Sequence, residues 1–143
     1  MQFSPDFAVF LPLNLNPNLG SLKPDLHQLA AASVQTIRAR LPVELRKASE
    51  PVVTLYQDTP DQAVLDQGFE PDLLGLFEGA SRIESDPLSS DPPPRIILYL
   101  QNLWDLAEGD PDTFCDEVRT TYLHELGHFL GFDEDDLTLR DLD

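Results

Sequence analysis

The sequence predicts one domain of mixed helices and strands, and three observations carry that reading. At 143 residues and 41% hydrophobic content, the chain can bury a core without disulfide or metal staples. Two segments, near residues 26–41 and 110–130, repeat apolar residues at helical spacing. Between them lie three short runs with the β-branched and aromatic content of strands.

Residues 1–23 read as an N-terminal arm or edge strand, and 24–143 as the domain proper. Phe7, Val9, Leu11, Leu13 and Leu15 alternate with other residues, while Pro12 and Pro17 confine such a strand to an edge. Pro24 and Asp25 open the first helix, which carries Leu26, Leu29, Ala30, Val34, Ile37 and Leu41 on one face and closes at Pro42. Val52 to Tyr56 is a strand, and a short helix falls between Asp58 and Gly68. Leu73 to Phe77 is a second strand, in which Gly75 marks a bulge or a close backbone approach. Residues 84–94, rich in Ser, Asp and Pro, read as a long surface loop within the domain. Arg95 to Leu100 is the strongest strand, followed by a helical turn around Leu103, Trp104 and Leu106. Asp110 or Asp112 then N-caps the last long helix, which runs to about Leu130 and stops at Gly131.

Charge narrows the function classes. Twenty-six acidic residues against 9 Lys and Arg leave a formal net charge of −17, and no basic patch interrupts it. Such a surface repels phosphate backbones, so nucleic acid is not an expected partner; metal cations and basic or neutral peptides are. The single cysteine, Cys115, excludes an internal disulfide framework and fits a reducing compartment. The N-terminus lacks the basic region of a secretory signal, and the apolar runs are too short for a membrane span. A cytoplasmic protein with no membrane partner is expected. Nothing in the sequence specifies an oligomeric state.

The residues that carry chemistry are His124, Glu125 and His128 in the run His124-Glu125-Leu126-Gly127-His128. Positions four apart on a helix lie one turn apart on the same face, so both imidazoles can reach one tetrahedral cation at about 2.0–2.1 Å. Glu125 is rotated about 100° from His124. That is poor for direct ligation but within reach of a water on the metal. The spacing thus separates the roles: His124 and His128 as ligands, Glu125 as general base. The alternative is a surface helix with solvated histidines. The apolar stretch Phe114, Cys115, Val118, Tyr122, Leu123, Leu126 and Leu130 argues instead for a packed helix, whose imidazoles need partners.

A catalytic zinc takes a third protein ligand and keeps one open position. Only 15 residues follow His128, and directly after Gly131 they include Asp133, Glu134, Asp135 and Asp136. Glycine there can adopt a positive φ and turn the chain back toward the metal. Glu134, six residues beyond His128, is the first choice, because its separation matches zinc sites with an extended motif of this kind. Asp133, Asp135 and Asp136 are the alternatives, and His27 is a further one. The acidic cluster also reads as the cap of a short terminal helix over 136–142.

With its motif in view, the chain resembles the zincin metallopeptidases, and more narrowly a small bacterial minimal-zincin family with the pattern His-Glu-x-x-His-x-x-Gly-x-x-acid. The likeness spans about residues 24–142 and rests on four segments: Leu41 to Leu45 closing the first helix, Leu74 to Gly79, Arg95 to Tyr99, and Val118 to Leu137. The resemblance implies an α+β fold in which a small mixed sheet packs on the active-site helix and one edge strand borders the cleft. It departs from the metzincins, which use a methionine turn beneath the metal: the only methionine here is Met1. Gln101 and Asn102 also stand where family members often carry basic residues.

The expected reaction is zinc-dependent hydrolysis of a peptide bond in a peptide or protein substrate, with Glu125 as general base. Manganese and nickel are the alternative metals. Tyr56, Tyr99 and Tyr122 are candidates for help at the developing oxyanion, though each reads first as a packing aromatic. Asp116 and Glu117 are candidates for orienting the histidines. The alternative function is a zinc-binding, non-catalytic scaffold or interaction module with an acidic surface.

Overall fold

A central strand sandwiched on both faces organises the domain. The structure is a computed structural model that describes residues 23–132. Its strands are β1 (Val53–Gln57), β2 (Gly75–Glu78) and β3 (Arg95–Tyr99), in the spatial order β1-β3-β2. β1 runs parallel to β3, pairing Val53 with Arg95 and Gln57 with Tyr99. β2 runs antiparallel to it, pairing Gly75 with Leu98 and Glu78 with Arg95. The sheet is therefore mixed, and the fold is α+β. Arg95 also reaches across the last pair, its Nε donating to Glu78 at 2.7 Å.

Among the described residues, five helices accompany the sheet: α1 (Leu26–Arg40), α2 (Val43–Ala48), α3 (Gln62–Asp66), α4 (Leu100–Leu106) and α5 (Pro111–Leu130). Alternation along β3 splits its side chains between two layers. Ile96 and Leu98 join the main core with α1 and α5, whereas Ile97 and Tyr99 face Val64 of α3 and Leu76. The Tyr99 hydroxyl is buried on that second face with no hydrogen-bond partner among the described residues.

α1 forms as the periodicity predicts: the Asp25 carboxylate accepts from the Gln28 N–H, and Leu26, Ala30, Val34 and Ile37 are buried. The stretch after it corrects the sequence reading, which treated residues 41–45 only as the close of α1. Leu41 turns extended (φ −65°, ψ 148°), as a residue before proline is pushed to do. Pro42 then leads into α2, a proline at a helix entrance having its φ already set. Leu100 is a second correction. It opens α4 rather than ending β3, with Tyr99 as the extended cap residue. The strands over Val52 to Tyr56 and Leu73 to Phe77 are observed shifted along the chain by one and two residues at their starts. Residues 79–94 form the loop that composition predicts. The proposed N-terminal strand and the proposed terminal helix lie outside the described residues. Among the described residues, no helix is long and apolar enough to cross a membrane.

Candidate metal centre

α5 is the element on which the site is built. The Asp110 carboxylate caps it, accepting from the Thr113 N–H at 2.8 Å and the Thr113 hydroxyl at 2.6 Å. These two bonds hold the Asp110 carboxyl below the usual carboxylate range, and Pro111 fills the first helical position. Phe114, Val118, Tyr122, Leu126, Phe129 and Leu130 are buried and fasten the helix to the core. Gly131 ends it in the left-handed region at φ 83°, and the Phe132 N–H returns to the Gly127 carbonyl at 2.9 Å.

The helix brings His124, Glu125 and His128 together as the spacing predicts. A ligand atom from each lies within 4.8 Å of the others. The two imidazole rings are 4.8 Å apart between centroids and inclined at 81°. His124 and Glu125 are half-buried and His128 is exposed, so the group opens outward from the core-facing side of α5. Two imidazoles beside one carboxylate form a donor set that zinc accepts, and the separations are small enough for one cation to join the two nitrogens. Glu134, Asp133, Asp135 and Asp136, the third-ligand candidates, lie outside the described residues.

β2 supplies a neighbouring wall. Thr121 is one turn before Glu125 and three residues before His124, hence on the same side of α5. Gly75 of β2 comes so close to it that a Cβ there would stand 2.5 Å from the Thr121 methyl. Phe77, farther along β2, packs its ring against Phe129 at 6.1 Å between centroids. Among the described residues, β2 has β3 on one side only and is an edge of the sheet. Gly75 is the glycine the sequence marked for close approach; its partner, Thr121 on α5, could not be read locally.

The other described sequence candidates are not members of this three-residue group. Tyr122 is fully buried, and its hydroxyl oxygen accepts from Arg38 at 3.0 Å. Tyr99 faces the opposite side of the sheet from α5. Burial pushes its phenol above the ordinary value, and Glu78 and Asp61 add to the shift. Tyr56 packs against His27 at 4.7 Å between ring centroids, and burial followed by the neighbouring Tyr122 raises its phenol as well. His27 is thus an exposed histidine of α1 paired with an aromatic ring. Asp116 is exposed and Glu117 half-buried on α5.

Sequence reasoning missed the support at the end of α5. Arg82 donates its backbone N–H to the Phe129 carbonyl at 2.8 Å and its Nε–H to the Leu130 carbonyl at 3.1 Å. No local signal announces a contact between residues 48 apart. Two hollows elsewhere, one over the 84–95 loop and one around His27 and Tyr56, do not include the His-Glu-His group.

Residues 49–142 match the family described as zincin-like metallopeptidase, a span that includes the whole sheet and α5. The comparison with curated proteins finds no match.

Proposed function

The chain belongs to the zincin-like metallopeptidases, and from that premise we propose that it is a zinc-dependent peptidase in which Glu125 is the general base. One observation carries the reading: the donor atoms of His124, Glu125 and His128 converge within 4.8 Å on a half-exposed face of α5, beside an edge strand. His124 and His128 would hold the metal, with Glu134 as the first-choice third ligand and Asp133, Asp135 and Asp136 as the alternatives. Zinc held there supplies Lewis acidity, polarising a carbonyl and bringing the pKa of a coordinated water to about 7.

The chain's own residues do the rest. Glu125, one position beyond the first ligand, accepts the proton of the attacking water and delivers it to the departing amine. The attack joins the water oxygen to the carbonyl carbon, and collapse breaks the C–N bond. The edge of β2 that has no neighbour among the described residues offers backbone donors and acceptors to an extended peptide, which binds as an added strand with little side-chain preference. A formal charge of −17 favours basic or neutral peptides over acidic ones.

The test compares wild type with Glu125→Gln, each loaded with one equivalent of zinc and assayed on denatured casein and on mixed peptides. Loss of the general base should lower the rate by about 10²–10⁴-fold while metal content stays equal. Equal rates would remove the peptidase assignment and leave the zinc-binding scaffold.

A further inference from the structure

Residues 75–83 accompany α5 along the length of the His-Glu-His group. Gly75 meets Thr121, Phe77 packs on Phe129, and Ile83 closes on Gly131, so the segment advances in the same direction as the helix. Thr121 precedes His124 by three residues and Gly131 follows His128 by three, so the first and last contacts bracket the group. Between them the helix advances about 15 Å, the reach of four or five extended residues. Ile83 stands at one end of this stretch. A Cβ on Gly131 would collide with its Cδ1, yet Ile83 is 74% exposed. Gly131 continues the row of His124 and His128, seven and three residues on, which puts Ile83 at the end of the face that carries both imidazoles. The backbone beside it is held to the helix, because Arg82 donates its N–H to the Phe129 carbonyl at 2.8 Å and its Nε–H to the Leu130 carbonyl at 3.1 Å.

We infer that Ile83 is a specificity-determining residue, which receives an apolar side chain of the substrate within about two residues of the scissile bond. The inference rests on the peptidase reading above and narrows its substrates to peptides with Leu, Ile, Val, Met or Phe at that position. A main chain laid along β2 passes His124 and His128 before it reaches Ile83. From His128 to Gly131 the helix rises about 4.5 Å, little more than one residue of an extended peptide. An apolar side chain arriving there shields Ile83 from water, which a polar one does poorly. Helix capping does not account for the isoleucine. The Gly131 and Phe132 N–H groups take the Gly127 and His128 carbonyls, and Arg82 takes the next two. A lone exposed apolar residue is ordinary on a surface, as Leu88 is at 94% exposure in the same loop. Ile83 differs because it is fastened to the site helix one turn past the exposed His128. Nor does the net charge supply this preference, since charge separates basic from acidic peptides and does not tell apolar from neutral polar ones.

The measurement is of selectivity rather than rate. Wild type with one equivalent of zinc digests a library of peptides randomised in sequence, and mass spectrometry identifies the residues flanking each cut. At one position near the cut, apolar residues should be favoured over Ser, Asn and Gln by about tenfold, the lower end of what a single apolar contact discriminates. Ile83→Asn should bring that ratio down to about one, with zinc content equal to wild type. Ile83→Glu should transfer the preference to Lys and Arg, a change that mere loosening of the loop does not produce. Leu88→Ala, in the same loop, should leave the profile of wild type. An unaltered profile in both Ile83 variants overturns the role of Ile83 and leaves the peptidase reading intact, as does wild type that cleaves with no apolar preference. An equal loss of selectivity in Leu88→Ala overturns it too, because the loop as a whole would then be responsible. Wild type that cleaves no faster than Glu125→Gln removes the peptidase reading, and this inference with it.

Discussion

Gly75 of the edge strand lies close against Thr121 of the site helix, and their coupling can be worked out from distances. A Cβ added at Gly75 would lie 2.5 Å from the Thr121 methyl and 3.3 Å from the Ile97 carbonyl oxygen. Ordinary contact begins near 3.4 Å, so Gly75→Ala must separate β2 from α5 or turn the Thr121 side chain by about 1 Å. Overpacking of this kind costs roughly 1–3 kcal/mol. Thr121→Ser deletes only the offending methyl. At a position 8% exposed, it should cost about 0.8 kcal/mol by itself, the value of one buried methylene-sized group. In the Gly75→Ala background the same change relieves the clash and should stabilise, giving a coupling energy of about 1–2 kcal/mol. Urea unfolding of the four proteins measures the cycle. Additive effects, with Thr121→Ser equally destabilising in both backgrounds, would refute the idea that β2 is seated on α5 at this point.

Four further outcomes are expected. Gly131→Ala should destabilise by at least about 1–2 kcal/mol, the left-handed penalty at φ 83°, and Ile83→Ala should recover only the steric part; denaturant midpoints measure both. Tyr99→Phe removes a buried hydroxyl that lacks a partner, so thermal unfolding should be unchanged or higher, and a drop of more than about 1 kcal/mol would disprove the orphaned environment. The lowered Asp110 carboxyl makes its cap a stabilising element above the unfolded value of 3.8, lost as pH falls through the lower folded value. Asp110→Asn should flatten the stability profile in that acid window, as followed by circular dichroism. The raised Tyr56 and Tyr99 phenols act in the other direction: stability is complete below the unfolded value of 10.0 and is lost as pH rises through the folded ones, so ultraviolet titration should find Tyr56 and Tyr99 ionising late, each identified by its Phe variant.

What could be read in the sequence was whatever depends on neighbours along the chain. α5 was legible at both ends because its signals are local: Asp110 or Asp112 as the cap at the start, of which the structure uses Asp110, and Gly131 at the close. The spacing of His124 and His128 was legible for the same reason, since helix geometry alone puts them on one face. Leu100 was misread because its apolar side chain continues the pattern of β3, while the switch to α4 lies in the Tyr99 backbone. The order β1-β3-β2 and the mixed strand directions were invisible to periodicity, which speaks of faces and not of partners. Arg82 was invisible for a stronger reason. Its contacts with Phe129 and Leu130 close a loop of 48 residues, and neither end carries a pattern that names the other.

The long helix also explains how a site can sit on the domain's main structural element without weakening it. Its buried side chains, Phe114, Val118, Tyr122, Leu126 and Leu130, carry the packing, and truncating one of them would cost about 2–5 kcal/mol. His124, Glu125 and His128 are interspersed among these buried residues but are themselves half-buried or exposed. Groups so placed avoid the several kcal/mol that an unpaired charge would cost in the interior, yet they inherit the rigidity of the packed face. On the zinc reading, the packed face of α5 should let this domain fold without the cation, unlike a zinc finger. Zinc should still add stability through mass action, about 2.7 kcal/mol at a hundredfold excess over its dissociation constant. Chelation should consequently lower the melting temperature while leaving a cooperative transition, and loss of that transition in the apo protein would place the cation among the elements of the fold.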